Sequence, residues 1–318
     1  RAVKEAEQRI LAGQETKAYL SPAGDEGFNA AMSELVFGDV VAPKRVAAVQ
    51  SVGGTGAARM LADLVARAER GATVWLSDPT WPNHAPIVKA AGLAFASYPY
   101  FDSATRGVDF DAMMAALSST GPGDVVLLHG CCHNPTGANL TLEQWRKLTE
   151  LCLDRGFTPF IDMAYQGFGD GLSEDSAGVR LMAAQVPEML LAASCSKNFA
   201  LYRDRVGCAM VLAATPESAG IAKETLKSVA RTNHSMPPDH GAAVVRTILT
   251  DPELRADWQA ELESMRQRML DVRVNLAEAL RARTNSGDFD FIAEHRGMFS
   301  RLGLSKEVVE TMRENHGV

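Results

Sequence analysis

Cysteine is scarce. The five residues Cys131, Cys132, Cys152, Cys195 and Cys208 show neither paired disulfide spacing nor two separated CxxC pairs. That pattern argues against a disulfide scaffold and against structural zinc, and it leads us to expect a reducing, cytoplasmic compartment with no bound metal. Also missing is any apolar run near the roughly 20 residues that a membrane-crossing helix needs, and no signal sequence opens the chain. Positive charge is not in excess: 32 Lys and Arg stand against 39 Asp and Glu, a formal net charge of −7. Nothing in that balance invites a nucleic-acid backbone or an anionic membrane, so the expected partner is a small molecule. Internal repeats and low-complexity tracts are absent as well. What remains is an ordinary globular composition, 46% hydrophobic over 318 residues, enough for one large domain and part of another. The chain opens on Arg1 rather than Met and stops at Val318 just after a helix-like stretch, so we expect both ends to be cut.

From Arg45 to Ser194, apolar runs of strand length alternate with helical patterns. RVAAVQSV, TVWLS, LAFASY, DVVLLH, TPFID and MLLAAS are separated by segments such as TGAARMLADLVARAER and TLEQWRKLTELCLDR. This alternation predicts an α/β fold with a doubly wound, mostly parallel sheet. A further run, VGCAMVLAA, follows after a short charged loop and is expected to pair as an antiparallel neighbour. From Asp251 to about Arg283 the pattern is helical and charged. Beyond it, DFDFIAEH and MFSRLG read as short strands opening a partial α+β small domain. The expected division is therefore a large domain over 1–262 and a partial small domain over 263–318.

In open α/β sheets ligands sit beyond the carboxyl ends of the strands, so the residues just after each run matter most. RVAAVQSV leads through Gly53, Gly54, Thr55 and Gly56 straight into a helix, a turn that offers free backbone N–H groups and a hydroxyl to an anion. Gly54 and Gly56 with Asp78 partly imitate a dinucleotide fingerprint, but Arg59 occupies the third glycine position, where a side chain obstructs close helix packing. DVVLLH is followed by GCCHNPTG, in which Asn134 is held in a Pro/Gly turn. TPFID ends in Asp162, with Tyr165 three residues on. MLLAAS runs into SCSKNF, where Lys197 leaves a buried strand, and poor solvation lowers the pKa of such an amine and makes it nucleophilic. Arg205 follows eight residues later. Each feature has an ordinary alternative: a tight turn, a turn former, a helix cap, a lysine that merely reaches solvent. Their shared position at the strand ends of one sheet is harder to explain that way.

GGTGA, DPTWPNH, HGCCHNPTG, IDMAYQGFG, SCSKNFALYRDRVG and RTNHSMPPDHGA resemble, in order and over nearly the whole chain, segments of the aspartate and aromatic amino-acid aminotransferases of fold type I. The resemblance implies a homodimer with shared active sites that uses pyridoxal 5'-phosphate. By it, Lys197 forms the Schiff base with the cofactor, Asp162 pairs with the pyridine nitrogen, and Tyr165 and Asn134 hydrogen-bond the phenolic oxygen. Trp81 stacks on the ring and His84 braces Asp162 from behind. Gly54, Thr55, Ser194 and Arg205 hold the phosphate, joined by Tyr19 from the other subunit.

Substrates follow from the same resemblance: an amino acid (aspartate, glutamate or aromatic) and a 2-oxo acid such as 2-oxoglutarate. Arg231 corresponds to the arginine that crosses the dimer to a distal substrate carboxylate, a role suited to a bidentate guanidinium. Trp81 and Asn134 also face the substrate. The family's glycine loop and its arginine for the α-carboxylate find no counterpart here, and Arg296, Arg301 and Arg313 do not stand in the corresponding motif. The alternative expectation is a non-catalytic fragment that binds the cofactor or dimerises without turnover.

Overall fold

The apolar runs become strands because each is flanked by turn-forming residues and is too short for a buried helix. In the computed structural model, which describes residues 1–317, they are β1 Val46–Val52, β2 Thr73–Asp78, β3 Ala94–Pro99, β4 Val125–His129, β5 Thr158–Met163, β6 Met189–Ser194 and β7 Val206–Leu212. They form one seven-stranded sheet in the order β1-β7-β6-β5-β4-β2-β3. β7 runs antiparallel to both β1 and β6, as its sequence suggested, and every other pairing is parallel.

Helices cover both faces: α1 Ala2–Gly13, α2 Glu26–Phe37, α3 Gly53–Ala68, α4 His84–Ala90, α5 Phe110–Leu117, α6 Leu142–Arg155, α7 Glu174–Ala183, α8 Pro216–Asn233, α9 His240–Thr250, α10 Pro252–Thr284, α11 Phe291–Glu294 and α12 Lys306–His316. The two-residue period of the strands divides the interior into two cores. Val125, Leu127, Leu190 and Ala192 pack with α3 and α8 on one face. Val126, Leu128, Leu191 and Ala193 pack with α1, α2, α6, α7 and α9 on the other. Local chemistry fixes several helix ends. Thr141 and Gln144 form a reciprocal capping box on α6, and Gly156 ends that helix in the left-handed region.

One expectation fails. DFDFIAEH and MFSRLG are not strands: Phe291–Glu294 is the single-turn helix α11, and 298–303 has no regular structure. The cause is Arg273 of α10, only 7% exposed. Its guanidinium donates to the carbonyls of Ile292 at 3.1 Å, Gly297 at 3.0 Å and Phe299 at 2.5 Å, and to Ser300 Oγ at 2.6 Å. Acceptors that a strand would present to a neighbour are instead gathered around one cation. Phe291 and Ile292 complete the arrangement by packing with Ala277 of α10.

Candidate active site

The carboxyl ends of β1, β4, β5 and β6 surround a cavity of about 250 Å³. One end is an anion cradle. Gly53, at φ +70°, turns the chain from β1 directly into α3, whose first N–H groups have no side-chain cap. Side chains are excluded here. A Cβ on Gly53 would lie 2.5 Å from the Arg205 guanidinium, and one on Gly54 would lie 2.8 Å from Ser194 Cβ. Arg205 donates to the Tyr202 carbonyl at 3.1 Å and to Ser196 Oγ at 3.4 Å, both neutral oxygens. A helix N-terminus, the hydroxyls of Thr55, Ser194 and Ser196, and a guanidinium therefore converge where a phosphate would be best received.

The other end is built on Asp162. It lies in register between His129 of β4 and Ala192 of β6, and its Oδ2 meets His84 Nε2 at 3.0 Å. His84 Nδ1 is 2.8 Å from Thr80 Oγ1, which is 3.2 Å from His129 Nε2. A consistent proton arrangement has His84 donating to Asp162 and accepting from Thr80, whose oxygen accepts from His129. Burial pushes the Asp162 carboxyl up, but the His84 hydrogen bond and the charges of His84, His129 and Lys197 outweigh it, so the pKa falls below the usual value. The His129 pKa falls as well: burial, then repulsion from His133 and His84, hold it far below the ordinary imidazole range. The site thus holds an anion at the end of a hydrogen-bonded chain through His84, Thr80 and His129.

Lys197 and Tyr165 stand between these ends. Burial lowers the pKa of the Lys197 ammonium; Asp162 works against that and Arg205 with it. Its Nζ lies 4.5 Å from the centre of the Tyr165 ring. Asn134 Nδ2 donates to Tyr165 Oη at 3.4 Å. Burial, with Asp162 adding to it, pushes the phenol to about 12, so it keeps its proton. Trp81 forms a wall of the cavity and stands edge-on to His84, centroids 5.2 Å apart.

Of the residues singled out in the sequence, Gly54, Thr55, Trp81, Asn134, Asp162, Tyr165, Ser194, Lys197 and Arg205 line this one cavity, and His84 lies behind Asp162. Two stand apart. Tyr19, between α1 and α2, is 88% exposed, and Arg231 is exposed in the last turn of α8 with Nη1 3.8 Å from Met236 Sδ. Arg59 pairs with Asp63 at 2.9 Å on the flank of α3. His129, Ser196 and Tyr202 also line the cavity, though none is among the site residues singled out in the sequence. His129 was hidden as the last residue of an apolar run, although its place beside Asp162 follows once parallel register is known. Ser196 had a readable signal, being the residue immediately before Lys197.

Elsewhere, the thiols of Cys131 and Cys132 and the carboxylate of Asp175 lie within 4.8 Å of one another. That carboxylate is already taken up by the N–H groups of Gly167, Gly169 and Asp170 at 2.8–2.9 Å. Contact with Cys132 and burial also push the Cys131 thiol well above its ordinary value, which disfavours a metal-binding thiolate. A larger, mostly apolar cleft of about 560 Å³ opens at the opposite end of the strands, by Val125, Thr158 and Met189, and includes none of the residues above.

The profile of the family described as aminotransferase class I and II matches residues 1–318, and the chain belongs to that family. It is 51% identical over 318 residues to an aromatic-amino-acid aminotransferase of Paracoccus denitrificans, covering all of this chain and 81% of the relative. Over 320 residues it is 45% identical to an aspartate aminotransferase of Escherichia coli, with the same coverage. Among solved structures, an aromatic amino acid aminotransferase with 3-indolepropionic acid superposes with a TM-score of 0.98 at 51% identity, covering all of this chain and 82% of that one. The aromatic-amino-acid aminotransferase of Burkholderia pseudomallei, covalently bound to pyridoxal phosphate, gives 0.97 at 42% identity, covering 100% and 80%.

Proposed function

We propose that this chain catalyses pyridoxal-phosphate-dependent transamination between aspartate, glutamate or an aromatic amino acid and a 2-oxo acid such as 2-oxoglutarate. The observation that carries the proposal is that a lysine with a lowered pKa and a carboxylate held ionised line one cavity, on neighbouring strands, with an anion cradle at its end. When bound, the cofactor supplies a protonated heteroaromatic ring that accepts the electron pair released at the substrate Cα.

The residues present fit that group. Asp162 would hold the proton on the ring nitrogen, its own charge maintained by His84. Asn134 and the protonated Tyr165 would hydrogen-bond the phenolic oxygen, and Trp81 would give the ring a flat apolar wall. Gly54, Thr55, Ser194 and Arg205 would hold the phosphate. Lys197 would bond the cofactor covalently; once displaced by substrate, its amine would take the proton from Cα as general base and return it as general acid. Its lowered pKa suits that exchange, because a larger fraction of the amine is free at neutral pH.

Tyr19 and Arg231 project from the surface instead of into this cavity, which supports a homodimer in which each reaches its partner's site, Tyr19 to the phosphate and Arg231 to a distal substrate carboxylate. We also place the large-to-small domain division at 262/263 within α10. No helix among the described residues is long and apolar enough to cross a membrane, and five buried, unpaired cysteines suit a reducing compartment such as the cytoplasm. The test is amino transfer to 2-oxoglutarate from aspartate and from phenylalanine. Turnover with either, lost by at least about a thousandfold in Lys197→Ala, is expected; equal rates in the two proteins would refute the role of Lys197.

A further inference from the structure

We propose that Trp258 of α10 is a positioning residue for Lys197: its indole fixes the turn that carries the reactive amine, so the long helix sets where that amine stands in the cavity. The inference rests on the transamination reading above and deepens it.

Lys197 leaves β6 in a turn closed by Ala200 N–H donating to the Lys197 carbonyl at 3.0 Å. Ala200 has φ +55°, a left-handed conformation that an alanine does not favour unaided. Surrounding structure must hold it, and the side chain of the next residue does not: Asn198 is 3% exposed, yet its Oδ1 has no partner. The anchor comes from outside the turn. Trp258 Nε1 donates to the Asn198 carbonyl at 2.7 Å. The same indole lies flat on the Phe199 ring, centroids 4.4 Å apart and planes 4° from parallel. Trp258 is itself 3% exposed and Phe199 2%, so both contacts are shielded from water and strengthened by that shielding. The two residues immediately after Lys197 are therefore gripped by one side chain, which leaves the Lys197 Cα little freedom.

α10 reaches the same amine by a second route. Through Arg273 it holds residues 292–300, and Phe299 from that segment meets the Tyr165 ring edge-on at 6.1 Å. That ring is the one beneath the Lys197 Nζ. The groups facing the amine are Asp162 and Tyr165 from the end of β5 and Tyr202 and Arg205 from the loop before β7. A displacement of the Lys197 turn changes its distance to all of them at once.

The discriminating variant is Trp258→Phe in the cofactor-loaded protein, which keeps an aromatic surface against Phe199 and removes the donor. We expect kcat to fall about five- to tenfold, the value of one buried hydrogen bond, with KM changed by less than about twofold. The pH midpoint of the visible band of the lysine-bound cofactor should move by about half a unit or more, and the Ala200 amide should exchange about tenfold faster. A variant with lowered thermal stability but unchanged kcat, band midpoint and Ala200 exchange would overturn the inference, because a purely structural tryptophan predicts that result. Failure of the underlying reading looks different: the band would then be absent from the parent protein, or would persist in Lys197→Ala.

Discussion

His133 lies flat on Tyr100, ring centroids 3.9 Å apart, with Nε2 3.1 Å from Ser77 Oγ and Nδ1 2.9 Å from Thr136 Oγ1. Both ring nitrogens are engaged and the residue is 1% exposed; burial pushes its pKa down to about 3. In the unfolded chain it regains its ordinary value of 6.5. Between those two values the unfolded state binds a proton that the folded state refuses, so stability falls as pH falls through this window. His129 acts with the same sign. We predict that His133→Gln weakens the fold at neutral pH by about 1–2 kcal/mol through lost packing, yet loses less stability than the parent between pH 6.5 and 3. Denaturant melts across that range measure it, and parallel curves for the two proteins would contradict the assignment. Residues at this scale were legible only as a set: Lys197, Asp162, Asn134 and Arg205 each have an ordinary reading alone and stand out because all follow strand ends of one sheet. The histidines were not legible this way. His84, His129 and Asp162 are dispersed along the chain and become neighbours only through parallel register and the start of α4, so resemblance alone suggested the His84 link and nothing suggested His129.

All seven strands were legible as elements, because their apolar runs are short, flanked by turns and alternate with amphipathic helices. The failure at 291–303 shows what such patterns omit. Apolar alternation states which side chains want burial, whereas the fate of backbone acceptors depends on a cation elsewhere in the chain. Arg273 claims the carbonyls that a strand would have used. The same segment rests against the Asn134 turn: Gly137, at φ +76°, would place a Cβ 2.3 Å from the Phe299 carbonyl oxygen, and its own carbonyl accepts from Arg296 N–H at 2.9 Å. Arg273→Met keeps much of the buried volume and removes the donors. It should cost about 2–3 kcal/mol and should accelerate amide exchange selectively over residues 292–300. Exchange that is unchanged in this segment, or raised evenly over the whole protein, would show that Arg273 does not hold it.

Across the whole molecule, one sheet with a core on each face brings the carboxyl ends of four strands to a single cavity, and the residues left outside that cavity make the clearest case for a second copy. Tyr19 is the most exposed of the large apolar side chains among the described residues, a placement consistent with a contact to a second copy. If the site is shared, mixing Tyr19→Phe with Lys197→Ala chains regenerates some sites that have both side chains intact, and activity rises above that of either protein alone. Sedimentation should show dimers in the same mixture; monomers, or a mixture no more active than its components, would contradict a shared site. Folding to this architecture was readable from the alternation of runs, but sharing between copies rests on resemblance, since no pattern within one chain states what lies across an interface.

We propose Lys197 as the point of covalent attachment for pyridoxal phosphate. Incubation with the cofactor, reduction with borohydride and peptide mapping by mass spectrometry test it most directly. The reduced cofactor is expected on Lys197 and on no other lysine, with the label lost in Lys197→Ala. A label on another lysine, or no label on the parent protein under saturating cofactor, would contradict it.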